Sequence, residues 1–288
     1  IKDHSHPIWK EYQGYIVIKP LPYMTIGATL LETFKKTDSH IRRYPVTKDY
    51  TINLFGKELK INTLAFQEQD SVVGACASCA LWCAFHKTAS LFITHVPSPS
   101  DITKSARNSF QNSGRTYPSK GLDHYQIGNA IESVGLVSEL RNRLKRFTPE
   151  YIKSFIYAYA RMGLPVLLGL SFKDGDHLIT VTGYKEEIDS GFTRRKSMAL
   201  KASKIERFYA HDDQVGPFTK IKIEKDGTLT TSWRVSPDKD EMRTARPVSI
   251  CVPVHSKIRL TFENVYTKSR FLDFFFLKSF PKVAIAWD

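Results

Sequence analysis

MGLPVLLGLSFKDGDHLITVTGY, residues 162–184, is where the chain changes its period. Upstream, Thr148 as N-cap, Pro149 in the first turn and Glu150 near the positive end announce a helix that runs to about Met162 and stops at Gly163. Downstream, PVLLGLS (165–171) is a continuous apolar run, the pattern of a buried strand, and LITVTGY (178–184) is a second. A polar turn joins them and delivers His177 to the mouth of the second strand. From there strands dominate: 205–210, 218–223, 228–234 after a turn at Asp226-Gly227, then 248–254 and 257–262. The phenylalanine cluster at 271–276 is expected to be a buried terminal element.

Working back from that junction, helices come first. Residues 123–134 (DHYQIGNAIESV) space Ile127, Ile131 and Val134 helically and end at Gly135. Residues 97–120 read as a polar loop. Residues 74–86 (GACASCALWCAFH) are small and apolar all round, the mark of a buried helix beginning just after Gly74. Ahead of them, 14–20, 50–55 and 59–64 read as strands, the last two joined at Gly56-Lys57. Helices followed by a strand-rich half argue for an α+β fold, not the alternation of a doubly wound sheet.

The 288 residues are enough for a proper core, and 42% hydrophobic and 25% charged residues are ordinary for a globular chain. No apolar stretch approaches the roughly 20 residues of a membrane span, and no secretory signal is read at the start given. Four cysteines, three within eight residues, make no disulfide framework and point to a reducing, cytoplasmic setting. Lys+Arg 42 against Asp+Glu 29 gives +13, an attraction for acidic partners.

Four residues carry the chemistry. Cys76 opens a helix, where the macrodipole favours a thiolate nucleophile; the bland alternative is a small buried hydrophobe. His177, held rigidly at a strand mouth, is placed to take the thiol proton; otherwise it is a solvated turn residue. Asp212 follows the 205–210 strand and can fix the imidazole tautomer, with Asp213 as substitute; an Asp in a turn needs no such role. Gln69 can donate to an oxyanion together with the Cys76 N–H, and Gln67 is its alternative.

The order Gln69, Cys76, His177, Asp212 resembles that of papain-like cysteine peptidases, nearest the bacterial peptidase-domain branch of bacteriocin exporters. DHLITVTGY (176–184) looks like the family's histidine followed by a small or apolar run and Gly-Tyr. GLPV (163–166) resembles the Gly-Pro-Val strand before it, and 121–139, ending SVGLVSE, resembles the family's helix and Gly-Leu-x-x-Glu. The resemblance covers about 66–218. It implies a papain-like α+β fold, with a helical lobe bearing Cys76 and an antiparallel β lobe bearing His177 and Asp212. Around that catalytic domain, taken as 66–236, lie a β-rich extension (1–65) and C-terminal strands packing on the β lobe (237–288).

Some family members use the second cysteine of a Cys-x-x-Cys as nucleophile. That would select Cys79, but it moves the thiol a turn down the helix, so Cys76 is preferred.

The implied activity is thiol hydrolysis of peptide or isopeptide bonds in a protein or peptide substrate, with no cofactor and no metal. Cys76, Cys79 and Cys83 share one helix face, which is packing rather than a convergent metal site. Transglutaminase-like acyl transfer would use the same residues. A third possibility is a silent binding module holding nucleic acid or another acidic partner on the basic runs 141–146 and 193–204.

Overall fold

A computed structural model describes residues 5–21, 24–35, 41–69, 76–106, 122–173, 175–187, 199–236, 239–280 and 286–287. Two hairpins open the chain, β1 (Gly14–Ile18) with β2 (Ile26–Leu31) and β4 (Lys48–Leu54) with β5 (Lys57–Thr63), flanking the short β3 (Ile41–Arg43). The second turns on Phe55 and Gly56, both left-handed at φ 50° and 82°, the backbone that suits the twist of a tight hairpin.

Helices α1 (Cys76–Phe92), α2 (Pro99–Ser105) and α3 (His124–Ser133) follow, then β6 (Val137–Asn142) and α4 (Pro149–Arg161). Their starts obey local chemistry. Asp123 and Gln126 form a reciprocal capping box on α3, and Thr148 Oγ1 accepts the Tyr151 N–H with Pro149 in the first turn of α4. Ser98 caps α2 inside the stretch expected to be loop.

The rest is mainly strand: β7 (Val166–Ser171), β8 (Asp176–Glu186), β9 (Ala199–Leu200), β10 (Ile205–Asp212), β11 (Gly216–Ile223), β12 (Leu229–Ser236) and β13 (Lys239–Val254), then α5 (Phe262–Ser279) and β14 (Ala286–Trp287). Strands β10, β11, β12, β13, β7 and β8 are hydrogen-bonded in that order, and β8 pairs back to β10. All six pairings are antiparallel, so the six strands form a closed barrel. Two long strands make the closure possible. The start of β8 pairs with β7 and its end with β10, while β13 pairs first with β12 and then with β7 and β6.

Both faces of β7 are buried, which explains its unbroken apolar run. Val166, Leu168 and Leu170 join one core with Ile179, Val181, Phe208, Ile221 and the α4 residues Phe155 and Ile156. Leu167, with Leu178 and Cys251, meets a second core made by Leu81, Phe85, Ile102, Ile127 and Ile131 of the first three helices. Among the described residues no helix is long and apolar enough to cross a membrane.

This architecture corrects the expected papain-like α+β fold of a helical lobe and a β lobe. The chain is mostly β, organised on the closed barrel, with five α-helices among the described residues. Helices α1 to α3 are not a lobe of their own, because they share one core with Leu167, Leu178 and Cys251 of the sheet. Helix α4 belongs to the barrel core, and β3 from the N-terminal stretch pairs with β8. The C-terminal region brings β13, a barrel strand, then a turn and irregular backbone where a strand at 257–262 was expected, with α5 starting at Phe262. The phenylalanine cluster is not buried: Phe271, Phe274 and Phe275 lie on the exposed side of α5.

Candidate active site

The barrel seam assembles the site. Pairing of β8 with β10 sets His211 opposite Thr180, so the residues that end β10 run alongside His177. A register shift between Ala210 and Asp212 in the β10–β11 ladder turns that end of the strand, as irregularities beside functional groups commonly do. Helix α1 is fixed to the same strand, because the Thr180 hydroxyl donates to the Ala80 carbonyl at 2.7 Å.

His177 is the hub. Its side chain is 1% exposed, and Nε2 lies 2.8 Å from Asp212 Oδ1. The Cys76 side chain lines the same cavity and helps the imidazole hold its proton. Burial by itself would pull the imidazolium down, but the hydrogen bonds to Asp212 and Cys76 and the charges of Asp212 and Asp213 outweigh it and push the pKa to about 10. The ring is therefore a cation at neutral pH.

Cys76 is the first residue of α1 and half-buried, whereas Cys79, Cys83 and Cys251 are buried. Burial, followed by the nearby Cys79, raises the Cys83 thiol well above its ordinary value. Residues 70–75, including the Gly74-Ala75 pair expected to start the helix, lie outside the described residues.

Asp212 is fully buried, and its Oδ1 also accepts the Gln214 N–H at 2.9 Å, which pins the turn. Asp213 stands beside it, also buried, with Oδ1 3.5 Å from His177 Nε2 and neither carboxylate oxygen hydrogen-bonded among the described residues. Desolvation raises its pKa to about 6 despite the imidazolium. His177, Asp212 and Asp213 place one ligand atom each within 4.8 Å of the others, a donor set suited to a small divalent cation. The imidazolium already supplies a positive charge to both carboxylates.

Gln69 is half-buried and makes no hydrogen bond to Cys76 or His177 among the described residues. Its neighbourhood is nonetheless that of the site: the Glu68 charge acts on Asp213, and the Gln67 backbone N–H bonds the Cys83 sulfur. Gln214 went unassigned in the sequence, where it was simply part of a polar turn. Its side-chain nitrogen lies 3.5 Å from His177 Nδ1. His211, a strand-end neighbour, is structural. It donates from Nε2 to Leu64 O at 3.0 Å, accepts the Phe218 N–H on Nδ1 at 3.2 Å, and is driven by burial to a pKa of about 4.

Cys76 and His177 share a cavity of about 240 Å³ with Leu122, Ile127, Leu170 and Val248 on its walls and Asp123 and Asp176 at its margin. A half-exposed thiol, a buried imidazolium and a buried carboxylate thus stand in series beside a small apolar cavity. That arrangement can deliver a thiolate to an electrophile and a proton to a leaving group. No family model matches the chain, and no curated protein matches it.

Proposed function

We propose that the protein is a cysteine hydrolase that cleaves peptide or isopeptide bonds, with Cys76 as nucleophile, His177 as acid and base, and Asp212 holding the imidazole. The observation that supports this most is that one buried ring, 2.8 Å from the Asp212 carboxylate, lines the same cavity as the Cys76 thiol. The Cys76 thiolate attacks the carbonyl carbon, and the C=O electron pair moves to oxygen. The Cys76 N–H, with Gln69 as second donor, stabilises that oxyanion. His177 then gives its proton to the nitrogen as the C–N bond breaks, leaving a thioester and a free amine. Neutral His177 next takes a proton from water, the hydroxide displaces the sulfur, and the acid product departs. Four cysteines free of disulfide bonds suit the reducing, cytoplasmic setting that such a thiolate requires.

The test is a reactive-thiol probe followed by mass spectrometry, alongside turnover of a pooled peptide substrate. Cys76 is expected to label fastest near neutral pH, and Cys76→Ala to abolish both labelling and turnover. Undiminished turnover in Cys76→Ala would overturn the assignment. An amine acceptor that outcompetes water would make the enzyme an acyl transferase, and salt-dependent binding of nucleic acid with no thiol reactivity would make it a binding module.

A further inference from the structure

A second cavity, of about 550 Å³, adjoins the one at Cys76 and shares His124, Asp176 and Val248 with it. Its other wall carries Asn142, Arg143 and Arg146. Both arginines are exposed, and neither side chain has an ion-pair or hydrogen-bond partner among the described residues. Arg143 holds a left-handed backbone at φ 58°, a conformation that glycine or asparagine adopts more easily. It sits where β6 ends and a single 3-10 turn (Leu144–Arg146) begins, and Leu144, 0% exposed, nails that turn to the core. The strained corner and its buried anchor fix where the two guanidinium groups leave the backbone.

Charge along the joined cavities is ordered. Asp123 stands at the Cys76 end, Asp176 where the two cavities meet, and Arg143 and Arg146 at the far end. Strand β6 is the third neighbour from β8 across the sheet, through β7 and β13. Three strand spacings are about 14 Å, the span of roughly four residues of extended peptide. We propose that this groove selects a substrate carrying a carboxylate about four residues from the scissile bond, held by Arg143 and Arg146 and turned away from the catalytic end by Asp123. The inference rests on the hydrolase reading for the word substrate, while the binding itself does not. The carboxylate has two sources, an Asp or Glu side chain or the free end of the peptide.

The test is equilibrium binding of fluorescent Leu/Ala hexapeptides to the Cys76→Ala protein. Each peptide carries one Asp, Asn or Lys, moved through every position, with its C-terminus free or amidated. At one fixed position Asp is expected to bind roughly tenfold tighter than Asn, and Lys more weakly than either. The preference should shrink as salt rises and disappear in the Arg143→Glu/Arg146→Glu double variant. A preference that follows only the free C-terminus assigns the groove to a chain end. Equal binding of Asp and Asn peptides at every position with no effect of amidation, or no binding by any peptide, overturns the inference. Selective binding by a protein whose Cys76 neither labels nor turns over peptide overturns the hydrolase reading alone.

Discussion

Asp213→Asn separates the two carboxylates that face His177. The wild-type carboxyl is buried, both its oxygens lack hydrogen bonds among the described residues, and burial raises its pKa from 3.8 to about 6. A raised acid binds more protons folded than unfolded between those values, so its contribution to stability falls as pH climbs through that window. Below about 3.8 the penalty is absent, and above about 6 it is complete. A shift of about two pKa units corresponds to about 3 kcal/mol. The asparagine amide leaves buried polar atoms unpaired too, but at every pH, so the informative quantity is the change in the gap between the proteins. Urea unfolding at pH 4 and pH 7 measures it. The variant is expected to gain about 2–3 kcal/mol on the wild type between those pH values. His177 contributes stability fully present below pH 6.5 and lost progressively from there to about 10, so only the last half unit of that interval touches it, and in both proteins alike. A gap that stays constant from pH 4 to pH 7 would show that Asp213 is ionised at little cost, and the account of the buried cluster would be wrong.

The His177 ring is expected to titrate near pH 10 by proton NMR, and Asp212→Asn to lower that point by about one unit or more, since it removes the 2.8 Å charge-assisted bond; an unchanged midpoint refutes the role of Asp212. Gly183→Ala puts a Cβ 2.4 Å from the Arg43 carbonyl oxygen, a backbone atom with nowhere to go, and should cost about 3 kcal/mol in denaturant unfolding. Gly135→Ala meets nothing within 4 Å but sits at φ +82°, so about 1 kcal/mol is expected; equal costs for the two would remove the steric explanation. Phe274→Ser, on a side chain 67% exposed, should leave the unfolding midpoint within about 0.5 kcal/mol, and a larger loss would place α5 in the core after all.

Local structure was legible wherever one short-range signal decided it. Thr148-Pro149 marks the start of α4, the run after Pro165 becomes β7, and the polar turn carries His177 to the head of β8. The barrel was not legible, because closure depends on β8 pairing with β10 through its second half, and residue type does not encode which strand edge meets which. Period-2 patterning tells a strand that it has two faces but not that the sheet returns on itself. The phenylalanines of α5 misled for a related reason. Hydrophobicity argues for burial on average, whereas on an 18-residue helix it is the side facing the protein that decides, and that side carries Phe262 and Asp273. At the site, Cys76, His177 and Asp212 were visible through their local settings. Gln214 was not, since its approach to Nδ1 follows from the turn that Asp212 pins through the Gln214 N–H.

Barrel closure and the candidate chemistry share one seam. His177 is the second residue of β8, Asp212 ends β10, and the ladder between these strands both shuts the barrel and sets the 2.8 Å bond. Helix α1 is tied to that ladder at Thr180, so the thiol takes its position from the strand that carries the imidazole. Burying two carboxylates beside one ring is costly unless the ring is charged, and both carboxylates favour the charged ring. The cluster is therefore self-consistent in one geometry. A slip of the β8–β10 register by a single residue would send the alternate faces of β8 outward and strand the carboxylates without their cation. The electrostatics thus oppose register slippage at the place where the hydrophobic pattern, buried on both faces along β8, opposes it least.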